Sequence, residues 1–339
     1  MRVILKPIRR QVLVITGASS GIGLATARAA VRDGARVFLV ARDQAALDQI
    51  TTELNTITRE PRAAYLAADV ADAGAMERAA EEAVARFGSI DTWVNNAGVS
   101  LYARLTEAHL DEKRRLFDVT FWGMVHGCRA ALPRLRQRGG ALINVGSVTS
   151  DFALPLQGMY SAAKHAVKGY TDALRMELEA DRVPVSVSLV KPSSINTPFF
   201  EHARTHLGVE PAPPPPVYQP EVVAETILEC ARRPVREVTV GASVGLAALN
   251  RVAPRVADRL LERTMFRLQR SSRPTPPDRR DNLFSPYSDG RVHGLYSGHV
   301  LDRSRYTEAA LQPGRTALAA VGIGLAVMAG LTLLGGDRD

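Results

Sequence analysis

Continuous apolar runs, each followed by a stretch with helical spacing, recur through the first 240 residues. The first is "QVLVITG", Gln11–Gly17. A run with no polar alternation has no solvent-facing side. It reads as a strand covered on both faces, as in parallel sheets. A helical pattern follows to about Asp33. The runs "ARVFLVAR", "AAYLAADV", "IDTWVNNAG", "GALINVGS", "VPVSVSLVKP" and "REVTVG" repeat the theme. Parallel neighbours need a crossover between them, and helices fill that role. The predicted fold is therefore α/β: a doubly wound parallel sheet of about seven strands, helices on both faces, spanning residues 1–245.

The remaining chain is less regular. Residues 196–220 include "PAPPPP", which is barred from regular helix and from a central strand. A long connection at the carboxyl end of a parallel strand lies where such sheets bind ligands. It reads as a substrate lid, or, in its second half, as a rigid polyproline spacer. "VAPRVADRLLERTMFRLQR" then spaces apolar residues helically with arginines between them. That is an amphipathic helix lying either on the domain or on a membrane surface. Turn and breaker residues follow it. We assign 246–315 to an arginine-rich, partly helical extension.

Between Leu246 and Arg315 stand 13 arginines and 7 acids, so most of the net charge of +8 lies there. No nucleic-acid motif accompanies these charges, and no nucleic-acid partner is expected. Thr316–Gly336 carries no charge. As a helix it would span roughly 30 Å, the thickness of a bilayer's hydrocarbon core. Arg303, Arg305 and Arg315 precede it, which by the positive-inside bias leaves the main domain in the cytoplasm. Residues 316–336 are expected to be a transmembrane anchor; the alternative is a helix docked on the domain. Two cysteines, Cys128 and Cys230, are too few for a disulfide framework and lack zinc-site spacing. No metal is expected.

"TGASSGIG", Thr16–Gly23, occupies the first strand-to-helix turn. Glycines there permit a tight turn and let backbone approach a pyrophosphate at a helix N-terminus. "NNAG", Asn95–Gly98, ends the fourth strand. Ser147 ends the fifth; Tyr160 follows it by thirteen residues and Lys164 by seventeen. "KPSSINTP" follows the sixth strand. Together these motifs resemble the short-chain dehydrogenase/reductase family over about residues 10–245. The resemblance implies a nicotinamide dinucleotide held by Gly17, Ser19, Ser20, Gly21, Ile22 and Gly23. It adds Asp69 and Val70 at the adenine, Asn96, Ala97 and Gly98 beside the cofactor, and Pro192 and Thr197 at the nicotinamide. Asp69 also reads as a strand-end turn residue, and Thr197 as a turn hydroxyl before Pro198. The resemblance further implies a homo-oligomer.

The chemistry agrees. Hydride transfer to a carbonyl needs a proton donor at its oxygen, and the reverse needs a base. Tyr160 and Lys164, four apart, share one helix face. An ammonium beside the phenol is expected to lower its pKa, and Ser147 supplies a hydroxyl for the substrate oxygen. Lys164 would also reach the nicotinamide ribose, as the family's lysine does. At the end of the second strand Ala41 stands where an NAD-type acid would, and Arg42 follows, so NADP(H) is favoured over NAD(H). Two positions depart from the family pattern. Thr120 replaces a relay asparagine, and Pro192-Ser193 replaces Pro-Gly. The predicted activity is an NADP-dependent oxidoreductase acting on a small alcohol or carbonyl, an apolar one given the lid and the anchor. The rival is a non-catalytic dinucleotide-binding scaffold at a membrane.

Overall fold

The computed structural model describes residues 3–58, 60–287 and 289–311. Seven parallel strands form the central sheet: β1 Val12–Thr16, β2 Arg36–Ala41, β3 Ala63–Ala67, β4 Thr92–Asn95, β5 Gly140–Val145, β6 Val185–Pro192 and β7 Glu237–Val240. Their order is β7-β6-β5-β4-β1-β2-β3. In β1, Ile15 lies opposite Leu39 of β2 on one side and Val94 of β4 on the other. Every residue of β1 is buried, which is why it carries no polar alternation.

The two faces of the sheet build two cores. Val12 and Val14 point into one, with Trp93, Leu142 and Val167; Leu13 and Ile15 point into the other, with Leu24, Leu47 and Ile227. The first is covered by α3 Ala73–Phe87, α4 Leu110–Phe117, α5 Gly123–Arg138 and α6 Gly158–Ala180; the second by α1 Gly21–Arg32, α2 Gln44–Thr56 and α8 Pro220–Arg232. Each fully buried aliphatic side chain contributes about 1.5–3 kcal/mol. Asp72 starts α3 by accepting from the N–H groups of Gly74 and Ala75, at 2.8 and 3.2 Å. Gly88, at φ 83°, ends it.

The buried stripe of α6 runs Lys164, Val167, Thr171, Leu174, Leu178, at helical spacing. Lys164 thus belongs to the inward face. Between α4 and α5 the helix loosens into a π-helical turn, Asp118–Trp122, which holds Thr120. Such turns recur at functional sites.

Residues 196–220 are more ordered than their prolines suggest. They form α7 Phe199–His202 and three short strands, Arg204–Thr205, Val209–Pro211 and Val217–Tyr218. The extension pairs with this region. Arg270–Pro274 runs antiparallel to Val209–Pro211, and Val300–Leu301 runs parallel to Val217–Tyr218. The amphipathic segment is a helical pair, α9 Val244–Val252 and α10 Pro254–Leu268. α10 buries Ala257 and Leu261, the latter against Val148, Phe152 and Leu154, and turns its arginines outward. A last helix, α11 Arg305–Leu311, follows. The expected anchor over 316–336 lies outside the described residues, among which no helix is long and apolar enough to cross a membrane.

Candidate active site

Strand order reverses between β1 and β4, where connections leave in opposite directions and a crevice opens at the carboxyl ends. A cavity of about 440 Å³ occupies that crevice. Of the candidate catalytic and cofactor-binding residues named from the sequence, all but Gly23 and Thr120 line it. Gly17 and Gly21 adopt φ of 66° and 52°, which L side chains rarely tolerate. A Cβ on Gly23 would lie 2.2 Å from the Gly17 carbonyl oxygen. The turn and the start of α1 are therefore packed as a bare-backbone cradle, and the residues present fit a dinucleotide's pyrophosphate.

The "NNAG" motif ties β4 to that cradle. Asn96 Nδ2 donates to the carbonyls of Thr16 and Gly17, at 2.9 and 3.2 Å. The Thr16 hydroxyl accepts from the N–H groups of Asn96 and Ala97, at 3.0 and 3.1 Å. Asn95 points the other way, accepting from Trp93 Nε1 and donating to Asn144 Oδ1, at 2.8 and 2.9 Å. Asn144 in turn donates to Thr171 of α6 at 2.9 Å, so one buried polar chain links β4, β5 and the helix of Tyr160.

Ser147, Tyr160 and Lys164 converge on one wall of the cavity. Burial pushes the Tyr160 phenol well above its ordinary range, and a hydrogen bond with Ser147 offsets part of that rise. Burial lowers the Lys164 ammonium to about 8. Its Nζ donates to the Val145 carbonyl at 2.7 Å and sits 5.6 Å from the centre of the Tyr160 ring. The expected lowering of the phenol pKa by the lysine is thus corrected. Desolvation dominates at both groups, since each ionised form loses hydration in the wall.

Thr120 stands behind this wall and is 1% exposed. Its hydroxyl lies 3.4 Å from both the N–H and the carbonyl oxygen of Val99. A Cβ on Gly98 would be 3.8 Å from Lys164 Nζ and 3.9 Å from Thr120 Oγ1, so both groups border the same glycine. Ser193, the second departure, fits because Gly241 has no side chain. A Cβ there would lie 1.9 Å from Ser193 Oγ. Thr197 packs its side chain against Gly21, bringing the loop after β6 to the start of α1.

The far end of the cavity is apolar, walled by Phe152, Leu154, Phe199, Phe200, Leu246 and Met265. The Phe199 ring lies 5.6 Å from that of Tyr160. Pro214–Pro216 also line the cavity, so the proline run borders the site. Gln157 lines the cavity and donates to Ser100 Oγ at 3.3 Å.

At the other end, Arg42 follows the last residue of β2. Burial lowers its pKa, and Asp69 works against that shift. Its guanidinium donates to the carbonyls of Leu283 and Phe284, at 3.4 and 3.2 Å, and to that of Asn282. Asp43 caps α2, accepting from the Ala46 N–H at 3.1 Å. Asp69 accepts from the Ala71 N–H at 2.9 Å, the expected turn contact, and pairs with Arg115 of α4.

The model of the short chain dehydrogenase family matches residues 11–208. The chain belongs to the short-chain dehydrogenase/reductase family. An uncharacterized oxidoreductase of Bacillus subtilis, YxnA, is 41% identical over 323 residues, covering 94% of this chain and 90% of that protein. An alcohol dehydrogenase from Thermococcus sibiricus, solved with 5-hydroxy-NADP, superposes with a TM-score of 0.60 at 28% identity, over 68% of this chain and 95% of that one. A family member from Burkholderia phymatum, solved with NAD, shares the fold with a TM-score of 0.65 at 24% identity, over 73% and 94%.

Sequence reasoning missed Gln157, Arg115, the π-helical turn and the contribution of residues 282–287. For Gln157 a faint signal exists, a polar residue just ahead of α6. Arg115 is one arginine on a helix among 38 in the chain, and its spacing distinguishes nothing.

Proposed function

We propose that this family member interconverts an alcohol and its carbonyl, favours NADP(H), and uses Tyr160 as the proton donor and acceptor. The observation that carries the reading is the convergence of Ser147, Tyr160 and Lys164 on the cavity that begins at the glycine cradle. The nicotinamide, when bound, supplies or accepts the hydride. Tyr160 delivers its phenolic proton to the carbonyl oxygen in reduction and receives one in oxidation. The raised phenol pKa keeps that proton in place at neutral pH, which suits carbonyl reduction. Ser147 orients the oxygen and stabilises its growing charge. Lys164 places a cation beside the phenol as negative charge develops there.

The cofactor preference rests on charge. The carboxylates near Arg42 are engaged, Asp43 as a helix cap, Asp69 with Arg115 and Asp281 with Arg204, while Arg42 borders the cavity. A guanidinium suits a 2′-phosphate. The phenylalanines and leucines of the far wall suit an apolar ketone, aldehyde or alcohol. A homo-oligomer also fits this reading, because Trp122 beside α5 and Met176 on α6 expose apolar surface; light scattering tests it. Apolar and polar carbonyls should be offered with NADPH and with NADH, following nicotinamide absorbance. Turnover of apolar carbonyls with NADPH is expected. Activity confined to sugars or small acids would overturn the substrate class. Dinucleotide binding without turnover of any carbonyl or alcohol would favour the scaffold.

A further inference from the structure

The cavity has an inner wall, made by the sheet, and an outer wall made by the extension. After Arg270–Pro274 the chain crosses back over the crevice, fastened on both sides. On the β2 side, Leu283 is fully buried in the core that also holds Val70, Val99 and Leu116. Arg42 grips the carbonyls of residues 282–284, and Arg115 Nε donates to the Leu283 carbonyl at 3.0 Å. On the α1 side, the Arg291 carbonyl accepts from the Gly21 N–H at 2.9 Å, and Val292 is buried in the opposite core. The Arg291 side chain reaches Glu201 and Asp289, at 2.8 and 2.5 Å. Between the two fastenings, Pro286 and Tyr287 line the cavity, and the Tyr287 ring lies 4.8 Å from that of His202.

We propose that residues 282–287 and 289–292 form a strap over the bound dinucleotide, so that the extension supplies the outer wall of the cofactor site and governs cofactor exchange. The proposal rests on the dinucleotide reading above. The fastenings fall at the two places a dinucleotide must pass, the end of β2 and the glycine cradle. A guanidinium has five N–H donors, so Arg42 can hold the strap and still face a phosphate oxygen. For the strap to lift, Leu283 and Val292 must leave the two cores, so cofactor exchange is tied to a local opening at these positions. The family model ends at residue 208, whereas the similarity to the Bacillus subtilis relative spans 94% of the chain and so takes in most of the extension.

The test uses the full chain and NADPH. Release is timed by fluorescence after adding excess NADP⁺, and trypsin is used to probe the bonds after Arg280 and Arg291. We expect bound NADPH to slow both cleavages at least tenfold. Leu283→Ser removes the buried fastening and should raise the release rate tenfold or more. Asp289→Ala, which loosens Arg291 without opening a core, should raise it about three- to fivefold and keeps the proposal testable if the first variant fails to fold. Val256→Ser, on the exposed face of α10, should stay within twofold. Unchanged release in Asp289→Ala, together with unprotected strap bonds in the wild type, overturns the strap and leaves the dinucleotide reading intact. Failure of the wild type to bind either NADPH or NADH removes both.

Discussion

The two walls of the cavity are built by different means. The inner wall is periodic: each strand ends at the crevice, and the candidate side chains follow a strand end, as Ser147 does, or lie one turn apart on α6, as Tyr160 and Lys164 do. The outer wall is held by pairs far apart in the chain, such as Arg42 and Asn282, 240 residues distant. On the proposed reading the inner wall carries the chemistry and the outer wall closes over it. Disrupting the first should abolish turnover, while disrupting the second should change exchange and substrate range.

The sharpest break on the inner side is Tyr160→Phe. It removes the proposed proton donor and leaves the ring contact with Phe199. Turnover should fall about 10²–10⁴-fold, with NADPH affinity within about threefold, read by steady-state kinetics and fluorescence titration. Loss of both together would mean that Tyr160 chiefly holds the cofactor.

Lys164 comes next, and here stability and activity should part. Its folded pKa of about 8 lies below the ordinary 10.5. Below pH 8 the lysine is charged both folded and unfolded, and the fold bears the full cost of burying it. Between 8 and 10.5 the unfolded chain binds more protons, so that cost fades and stability rises with pH. Above about 10 the raised Tyr160 phenol acts in reverse, because only the unfolded chain then ionises it. Lys164→Met should thus stabilise the protein by about 1–3 kcal/mol at pH 7 while cutting turnover about a hundredfold or more. Carbonyl reduction by the wild type should decline above pH 8, as the ammonium is lost. A rate flat to pH 10 would remove Lys164 from the chemistry.

The same division explains what could be read in advance. The seven strands, their crossovers and the shared helix face of Tyr160 and Lys164 follow from local rules: apolar runs, glycine turns and four-residue spacing on a helix; that Ser147 meets them was implied only by the resemblance to the family. The phenol's raised pKa did not follow, because spacing says which groups are neighbours and nothing of how much water they lose. The regular structure within residues 196–220 did not follow either. "PAPPPP" has no helical or central-strand signal, and its partners lie on the extension, at Arg270–Pro274 and Val300–Leu301. The strap was illegible for a third reason. Residues 282–287 have no periodicity, and their carbonyls, which Arg42 recognises, belong to every sequence alike.

A smaller effect tests how the inner wall absorbs a departure from its family. Ser193 Oγ is buried without a protein partner, in space left by Gly241. Gly241→Ala should destabilise by about 2–4 kcal/mol, combining overpacking with strain at φ 110°. In a Ser193→Gly background the clash with the serine disappears, while the approach to Tyr218 Cε2 at 2.9 Å and the backbone strain remain, so the two changes should couple by about 1 kcal/mol. Denaturant unfolding of the four proteins measures it, and strict additivity would place the strain elsewhere.

Thr120 should give the smallest effect, because it sits behind the wall. Thr120→Val keeps the shape and deletes the hydroxyl, leaving the Val99 N–H and carbonyl without that partner. The two contacts are long, at 3.4 Å, so the loss of stability should be about 1 kcal/mol or less. If the hydroxyl also serves the lysine across Gly98, turnover should fall several-fold and the decline above pH 8 should shift to lower pH, since Lys164 would lose polar surroundings that favour its charge. A purely structural threonine would lower stability and leave the pH profile in place. The profile therefore decides whether the inner wall is one layer deep or two.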